Sequence, residues 1–269
     1  MCIRDSNRLA CAIRDLLREH EVEARTLKTL MIRCDRQGGC VWQLYIKDRL
    51  SELITPGEAA ALPALGGEII YSDPKSPASR ITERLSGFGE VALRDDVLGQ
   101  SFAYATESFF QVNLPMYETA LEDMRGWLTG RPVVDMYSGV GTIGLTIGGA
   151  GTTLVELDER AVLEMERNIA QHHIDAAAVR AASETALAHI VGSKDIILDP
   201  PRAGLHADVV GRLLETGPQR IIYLSCNPVT QARDVALLAS SYGIRAHVGY
   251  NFFPATPHIE HLVVLERKP

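Results

Sequence analysis

No apolar run in this sequence approaches the roughly 18 residues that a membrane span needs. Nor does it open like a signal peptide, because Arg4, Asp5, Arg8 and Arg14 interrupt any apolar stretch there. The expected location is the cytoplasm, with no membrane partner. Cysteine is scarce. The five residues Cys2, Cys11, Cys34, Cys40 and Cys226 form an odd set at irregular spacing, which argues against a disulfide framework and fits a reducing compartment. Cys34 and Cys40 flank residues 35–39, which read as a hairpin turn. No second cysteine pair follows, so they are expected to be two strand-end cysteines rather than half of a zinc site, and no metal is expected.

A surplus of positive charge is also lacking. The net charge is −7, the wrong sign for a protein that holds nucleic acid by bulk electrostatics. Residues 1–105 carry 14 basic and 15 acidic side chains and the remainder 13 and 19, so neither half is a basic gripping surface. Any affinity for RNA must come from a local patch or from a segment outside this chain. Internal repeats and low-complexity tracts are missing too.

What is present is the composition of a soluble globular protein, 46% hydrophobic and 23% charged. Leu9, Ile13, Leu16 and Leu17 recur at helical spacing and predict an amphipathic helix over 7–20. Residues 29–33 and 41–47 predict a β-hairpin, and 68–71 a short strand before a Pro- and Ser-rich loop. A helix, a hairpin and a lone strand bury little apolar area. Residues 1–105 are therefore expected to be a partial α+β, RNA-binding region, the tail of a longer N-terminal part, with residues 1–6 not a natural beginning.

From Pro115 the pattern changes. Tyr117, Leu121, Met124 and Leu128 form a helical stripe, and short apolar runs at 133–136, 153–157, 195–198, 220–224 and 246–250 then alternate with helical patterns. Such alternation predicts an α/β fold over 106–269, a doubly wound, mostly parallel sheet. The last run, 262–265, follows a loop with no intervening helix and is expected to be antiparallel.

Four segments carry chemistry. In the first, Gly139, Gly141 and Gly144 follow the strand 133–136 and lead into a helix, a spacing that lets backbone approach a ligand. By itself it would suit a dinucleotide as well. Asp135, four residues before the first glycine, can face the cationic methionine end of S-adenosylmethionine, and Glu156 at the next strand end can take ribose hydroxyls. In the second, Asp199-Pro200-Pro201-Arg202 ends another strand, where ligands of open α/β sheets bind. Asp199 can there hydrogen-bond the polar edge of a planar base. In the third, Cys226 ends a strand before Asn227-Pro228, at the start of a helix whose N-terminus would lower its thiol pKa. In the fourth, 252–260, Glu260 is a candidate base just before the final strand, and His258 and His261 lack a third metal ligand. Upstream, Gln111 and Asn113 sit among aromatics and need a polar reason to be there.

Taken together, 108–113, the glycine turn, 199–202, 225–228 and 253–260 resemble, in order, the RNA uracil-C5 methyltransferase family over about residue 68 to the end. The resemblance implies a class I methyltransferase fold, with Cys226 as the nucleophile at C6 of a uridine and Glu260 as the base that removes the C5 proton. It further implies Asp199, Arg202 and His258 at the substrate. Gln111, Asp135, Tyr137, Gly139, Gly141, Thr142, Glu156 and Asp199 are expected around S-adenosylmethionine. The target base must leave its stack, and ribosomal RNA is placed ahead of transfer RNA as the partner of a monomeric enzyme. Asn251 stands where the family often has Asp, and Ala182 where an acid commonly contacts the adenine side, with Glu184 nearby. Some members hold an iron–sulfur cluster; none is expected here. Three other readings are weighed. A cytosine-C5 methyltransferase would carry its cysteine in the loop that here reads Asp199-Pro200-Pro201, and a nicotinamide oxidoreductase leaves 225–228 and 258–260 without a role. A non-catalytic RNA-binding module with this fold is the third.

Overall fold

The computed structural model describes residues 3–269. Met1 and Cys2, at the head of the segment expected to be an unnatural beginning, lie outside the described residues. Two compact units are present, one of residues 1–95 with 103–107, the other of 96–102 with 108–269.

In the first unit, helix α1 (Ile3–Glu19) buries Leu9, Ile13 and Leu17, spaced four apart so that they share one face. They pack on Trp42, Leu44 and Ile46, alternate residues of β2 (Cys40–Ile46) and hence on one side of it. Strand β1 (Leu27–Cys34) pairs antiparallel with β2. A short helix α2 (Pro56–Ala61) then carries the chain over to β3 (Gly66–Tyr71), parallel to β2. Thr55 and Glu58 start α2 as a reciprocal cap, Thr55 N–H donating to Glu58 Oε2 at 2.8 Å. Strand β4 (Glu83–Gly89) adds to β3 antiparallel and completes a four-stranded sheet. This unit therefore has a core of its own, larger than the helix, hairpin and single strand read from the sequence. Strands β5 (Ala92–Val97) and β6 (Gln100–Ala105) form a separate hairpin.

Cys34 and Cys40 are bonded to each other as a disulfide, against the expectation of free strand-end thiols. The reason is register. They are direct partners across the β1–β2 ladder, and Asp35 tightens the turn by accepting the N–H groups of Gln37 (2.9 Å) and Gly39 (2.8 Å). A cysteine count cannot see which two face each other.

The second unit begins with helix α3 (Leu114–Trp127). Thereafter strands and helices alternate: β7 (Val133–Met136), α4 (Thr142–Ile147), β8 (Thr152–Glu156), α5 (Glu159–His172), β9 (Ala176–Arg180) and β10 (Asp195–Leu198). They continue with α6 (Ala207–Thr216), β11 (Arg220–Ser225), α7 (Pro228–Leu238), β12 (Tyr242–Tyr250) and β13 (Glu260–Arg267). The seven strands lie in the order β12-β13-β11-β10-β7-β8-β9. Strand β13 is antiparallel to both its neighbours, and the ladders among β11, β10, β7, β8 and β9 are parallel. Strands β7 and β10 are buried on both faces, as parallel strands between helix layers must be. Their Val134, Met136, Ile196 and Leu198 form the core with Val209 and Leu213 of α6 and Leu238 of α7. The order reverses beside β7, the position where such sheets open a crevice at their carboxyl ends.

Candidate active site

That crevice is a cleft of about 900 Å³ lined by Gln111, Tyr137, Gly139, Glu156, Asp199, Arg202, Cys226 and Glu260. Eight of the expected site residues, from six separate segments, thus share one cavity.

The turn after β7 is held in unusual backbone. Tyr137 has φ +66°, a conformation that costs a non-glycine residue about 1–3 kcal/mol and persists only where its surroundings impose it. Gly139 has φ +56°, and a Cβ there would point into open space within the cleft. Its N–H donates to Glu156 Oε2 at 2.9 Å, while Glu156 Oε1 accepts Leu157 N–H (2.7 Å) and Asp158 N–H (2.8 Å). The Glu156 carboxylate is thereby locked at the end of β8, with lone pairs of Oε2 left for a ligand. Gly144 lies so close to β8 that a Cβ would come within 2.2 Å of Leu154 Cδ2.

Asp135 departs from expectation. It is fully buried and does not line the cleft; Oδ2 accepts Gly144 N–H at 2.8 Å, tying β7 to the first turn of α4. Burial, reinforced by the Glu156 charge, raises its pKa to about 7, and Oδ1 has no hydrogen-bond partner among the described residues. Gly141 caps α4 and Thr142 begins it, and neither lines the cleft. His258 is exposed and also outside the lining. Its backbone N–H donates to Thr256 Oγ1 at 3.2 Å. The structure therefore does not gather Asp135, Gly141, Thr142 and His258 with the other site residues. Asn113 has its polar reason: Oδ1 caps α3 at Met116 N–H, and Nδ2 donates to Phe252 O at 3.1 Å, tying the 108–113 segment to the loop before Glu260.

Strand register brings two of these residues together. In the β11–β13 ladder Ser225 pairs with His261, and one step beyond, in opposite directions along the chain, stand Cys226 and Glu260. Glu260 is the first residue of β13 rather than part of the preceding loop. Its burial raises the carboxyl pKa to about 7, against a lowering influence of Arg202. Asp199 is pushed well above the usual carboxylate range by burial and by the charges of Glu260 and Asp135. The Cys226 thiol is also raised, by burial first and then by Glu260 and Asp199, with Arg202 opposing. Desolvation and two facing carboxylates outweigh the helix N-terminus that was expected to lower it.

Sequence reasoning missed Arg233 and Asp234 of α7, and Ser183 and His206, all in the lining. Their motif signal is nil: a charged pair within a helix reads as a solvated face. Asp234, however, is 1% exposed. Ala182 does line the cleft, beside Ser183 and Glu184, and Ser183 Oγ donates to Glu184 Oε2 at 3.1 Å.

The donor set fits S-adenosylmethionine. Gln111 Oε1 is buried in the cleft with no hydrogen-bond partner among the described residues and would accept from a ligand donor, and Glu156 can take hydroxyls. Val155, Leu157, Ala181, Leu205 and Val210 add apolar side chains to the lining.

A family model described as tRNA (uracil-5-)-methyltransferase matches residues 95–268. The chain belongs to this family. An RNA methyltransferase of uncharacterised specificity from Lactiplantibacillus plantarum is 32% identical over 95% of this chain and 61% of its own length. The tRNA (uracil(54)-C(5))-methyltransferase of Pyrococcus furiosus is 35% identical, covering 67% of this chain and 44% of that protein. Among solved structures, the Pyrococcus abyssi tRNA (uracil-54, C5)-methyltransferase in complex with S-adenosyl-L-homocysteine superposes with a TM-score of 0.85. It shares 27% identity and covers 96% of this chain and 66% of that one. This member of the family thus spans less than two thirds of the length of the curated relatives it matches. Its second unit carries the mixed, mostly parallel sheet of class I methyltransferases.

Proposed function

We propose that the chain transfers a methyl group from S-adenosylmethionine to C5 of a uridine in RNA, through a covalent bond between Cys226 and C6. The observation that carries this reading is Cys226 and Glu260 brought together by one β-ladder, in a cleft that also contains the glycine turn and Glu156. When bound, the cofactor supplies an electrophilic methyl on a sulfonium.

The chain's own groups do the rest. Asp199, whose carboxyl is pushed toward its neutral form by burial and by neighbouring charge, offers in that form one donor and one acceptor, the pattern that matches the N3–H and carbonyl edge of uracil. Cys226, its thiol proton released to solvent, adds as the thiolate to C6, and the ring electrons move toward C5, making it a carbon nucleophile. Once C5 carries the methyl, its remaining proton must leave. Glu260, with a pKa of about 7, accepts it, and the electron pair returning to the ring expels the Cys226 sulfur. Arg202 draws both the thiol and the Glu260 carboxyl toward their charged forms.

The decisive test uses RNA carrying 5-fluorouridine, whose C5 fluorine cannot leave as a proton. Wild type should form a covalent RNA adduct that Cys226→Ala abolishes, and on ordinary RNA Glu260→Gln should methylate but stall in release. No adduct with wild type would refute the reading. Ribosomal RNA was expected first from the sequence, whereas the relatives whose names state a substrate act on transfer RNA, which favours that class. Tritium release from unmodified transfer and ribosomal RNA separates the two.

A further inference from the structure

Helix α7 grips the loop that follows β10 at four successive points. Asn227 Nδ2 donates to Arg202 O at 2.9 Å, and Thr230 Oγ1 to the same oxygen at 3.2 Å. Arg233 Nη2 donates to Ala203 O at 3.0 Å, and Leu205 N–H to Asp234 Oδ2 at 2.8 Å. Residues 227, 230 and 233–234 fall on one helical face, so the loop runs along the helix. Contact is close enough that Gly204, at φ +81°, leaves no room for a side chain: a Cβ would lie 2.5 Å from Asp234 Oδ2 and 2.6 Å from Arg233 Nη2.

Asp234 is 1% exposed, and a carboxylate so buried persists only when its oxygens are paired. Besides Leu205 N–H it accepts the Tyr223 hydroxyl at 2.9 Å and is ion-paired with Arg233 at 2.7 Å. Tyr223 is in β11, three residues before Cys226. One carboxylate therefore joins β11, α7 and the loop that starts at Asp199. Cys226 stands between the first two, and Asp199 and Arg202 belong to the third.

We propose that Arg233 and Asp234 are positioning residues that fix the Asp199–Arg202 loop relative to Cys226, acting through backbone they hold and not on substrate. This rests on the uracil-C5 reading for its consequence in rate, though not for the brace itself. Misplacement of about 1 Å can cost on the order of 100-fold in a reaction that depends on alignment.

The test compares Arg233→Ala with Arg233→Lys, which keeps one donor for Ala203 O. Arg233 is about half exposed, so both variants should fold. Two quantities are measured: amide hydrogen exchange at Gly204 and Leu205, and the rate and RNA concentration dependence of adduct formation with 5-fluorouridine RNA at saturating cofactor. Arg233→Ala should speed exchange in the loop at least tenfold and slow adduct formation at saturating RNA roughly tenfold. KM for RNA should stay within about twofold, and Lys should restore most of both. Unchanged exchange overturns the brace. An unchanged saturating rate, or an effect confined to KM, overturns the positioning role. Should wild type form no adduct, the uracil reading falls, while the exchange measurement still decides the brace.

Discussion

Replacing Glu260 by Gln should stabilise the second unit at alkaline pH while removing the proposed base. An ordinary glutamate titrates near 4.5, and burial moves Glu260 to about 7. Folding therefore favours its protonated form. Below pH 4.5 the carboxyl is neutral in both folded and unfolded chains and costs nothing. Between 4.5 and 7 the unfolded chain ionises while the folded one resists, so stability falls as pH rises, and above 7 the whole cost is present. At full effect that separation amounts to about 3 kcal/mol. Contact with solvent in the cleft screens it, leaving roughly 1–2 kcal/mol. A neutral, isosteric Gln avoids this cost, so the variant should melt about 4 °C above wild type at pH 8, for a unit of this size. At pH 4.5 the two should coincide within about 1 °C. Thermal melts of both proteins across this range, alongside the release assay, are the measurement. If Gln gives no gain at pH 8, or the same gain at both pH values, the assignment of a buried, pH-raised carboxyl at 260 is wrong. A gain together with stalled turnover would mark Glu260 as retained for chemistry at the expense of stability.

Other outcomes follow from the same geometry. Because Glu260 raises the Cys226 thiol and Arg202 lowers it, iodoacetamide should alkylate Cys226 several-fold faster in Glu260→Gln and more slowly in Arg202→Ala at pH 8, read by intact mass. Gly139→Ala points its methyl into the cleft and should weaken S-adenosylhomocysteine binding by calorimetry with only about 1 kcal/mol lost in stability; Gly144→Ala, driven into Leu154, should instead cost about 1–3 kcal/mol in denaturant melts. Equal effects on binding and folding in both variants would contradict this division. Reducing Cys34–Cys40, which closes only a short turn, should lower the first unit's stability by about 2 kcal/mol. A denaturation curve indifferent to reductant would argue against the cross-link.

Much of the second unit was legible because alternating strands and helices leave a periodic apolar signature. Strand β9 was not, since Ala176, Ala177 and Ala178 give neither β-propensity nor apolar bulk, and its position at the sheet edge leaves it half exposed. Strand β4 was missed for a similar reason: Glu83–Gly89 mixes charge with two glycines. Most of the expected residues that line the cleft stand at or just beyond strand ends, where topology brings them together. Asp135 lies within β7 rather than in the turn beyond it, and its carboxylate accepts the Gly144 N–H at the first turn of α4. Arg233 and Asp234 were invisible because nothing local says which helix face meets a loop some thirty residues earlier. Cys34 and Cys40 needed a register, which a count of cysteines does not contain.

The pairing of β11 with β13 has a consequence for the proposed chemistry. Cys226 and Glu260 stand one step past the last pair of that ladder, Ser225 with His261, so under the proposed mechanism the sulfur and carboxylate are placed by strand register. The loop before Glu260 is held separately, by Asn113 Nδ2 donating to Phe252 O. Slipping β13 by a single residue would turn the carboxylate to the opposite face and abolish the proposed reaction.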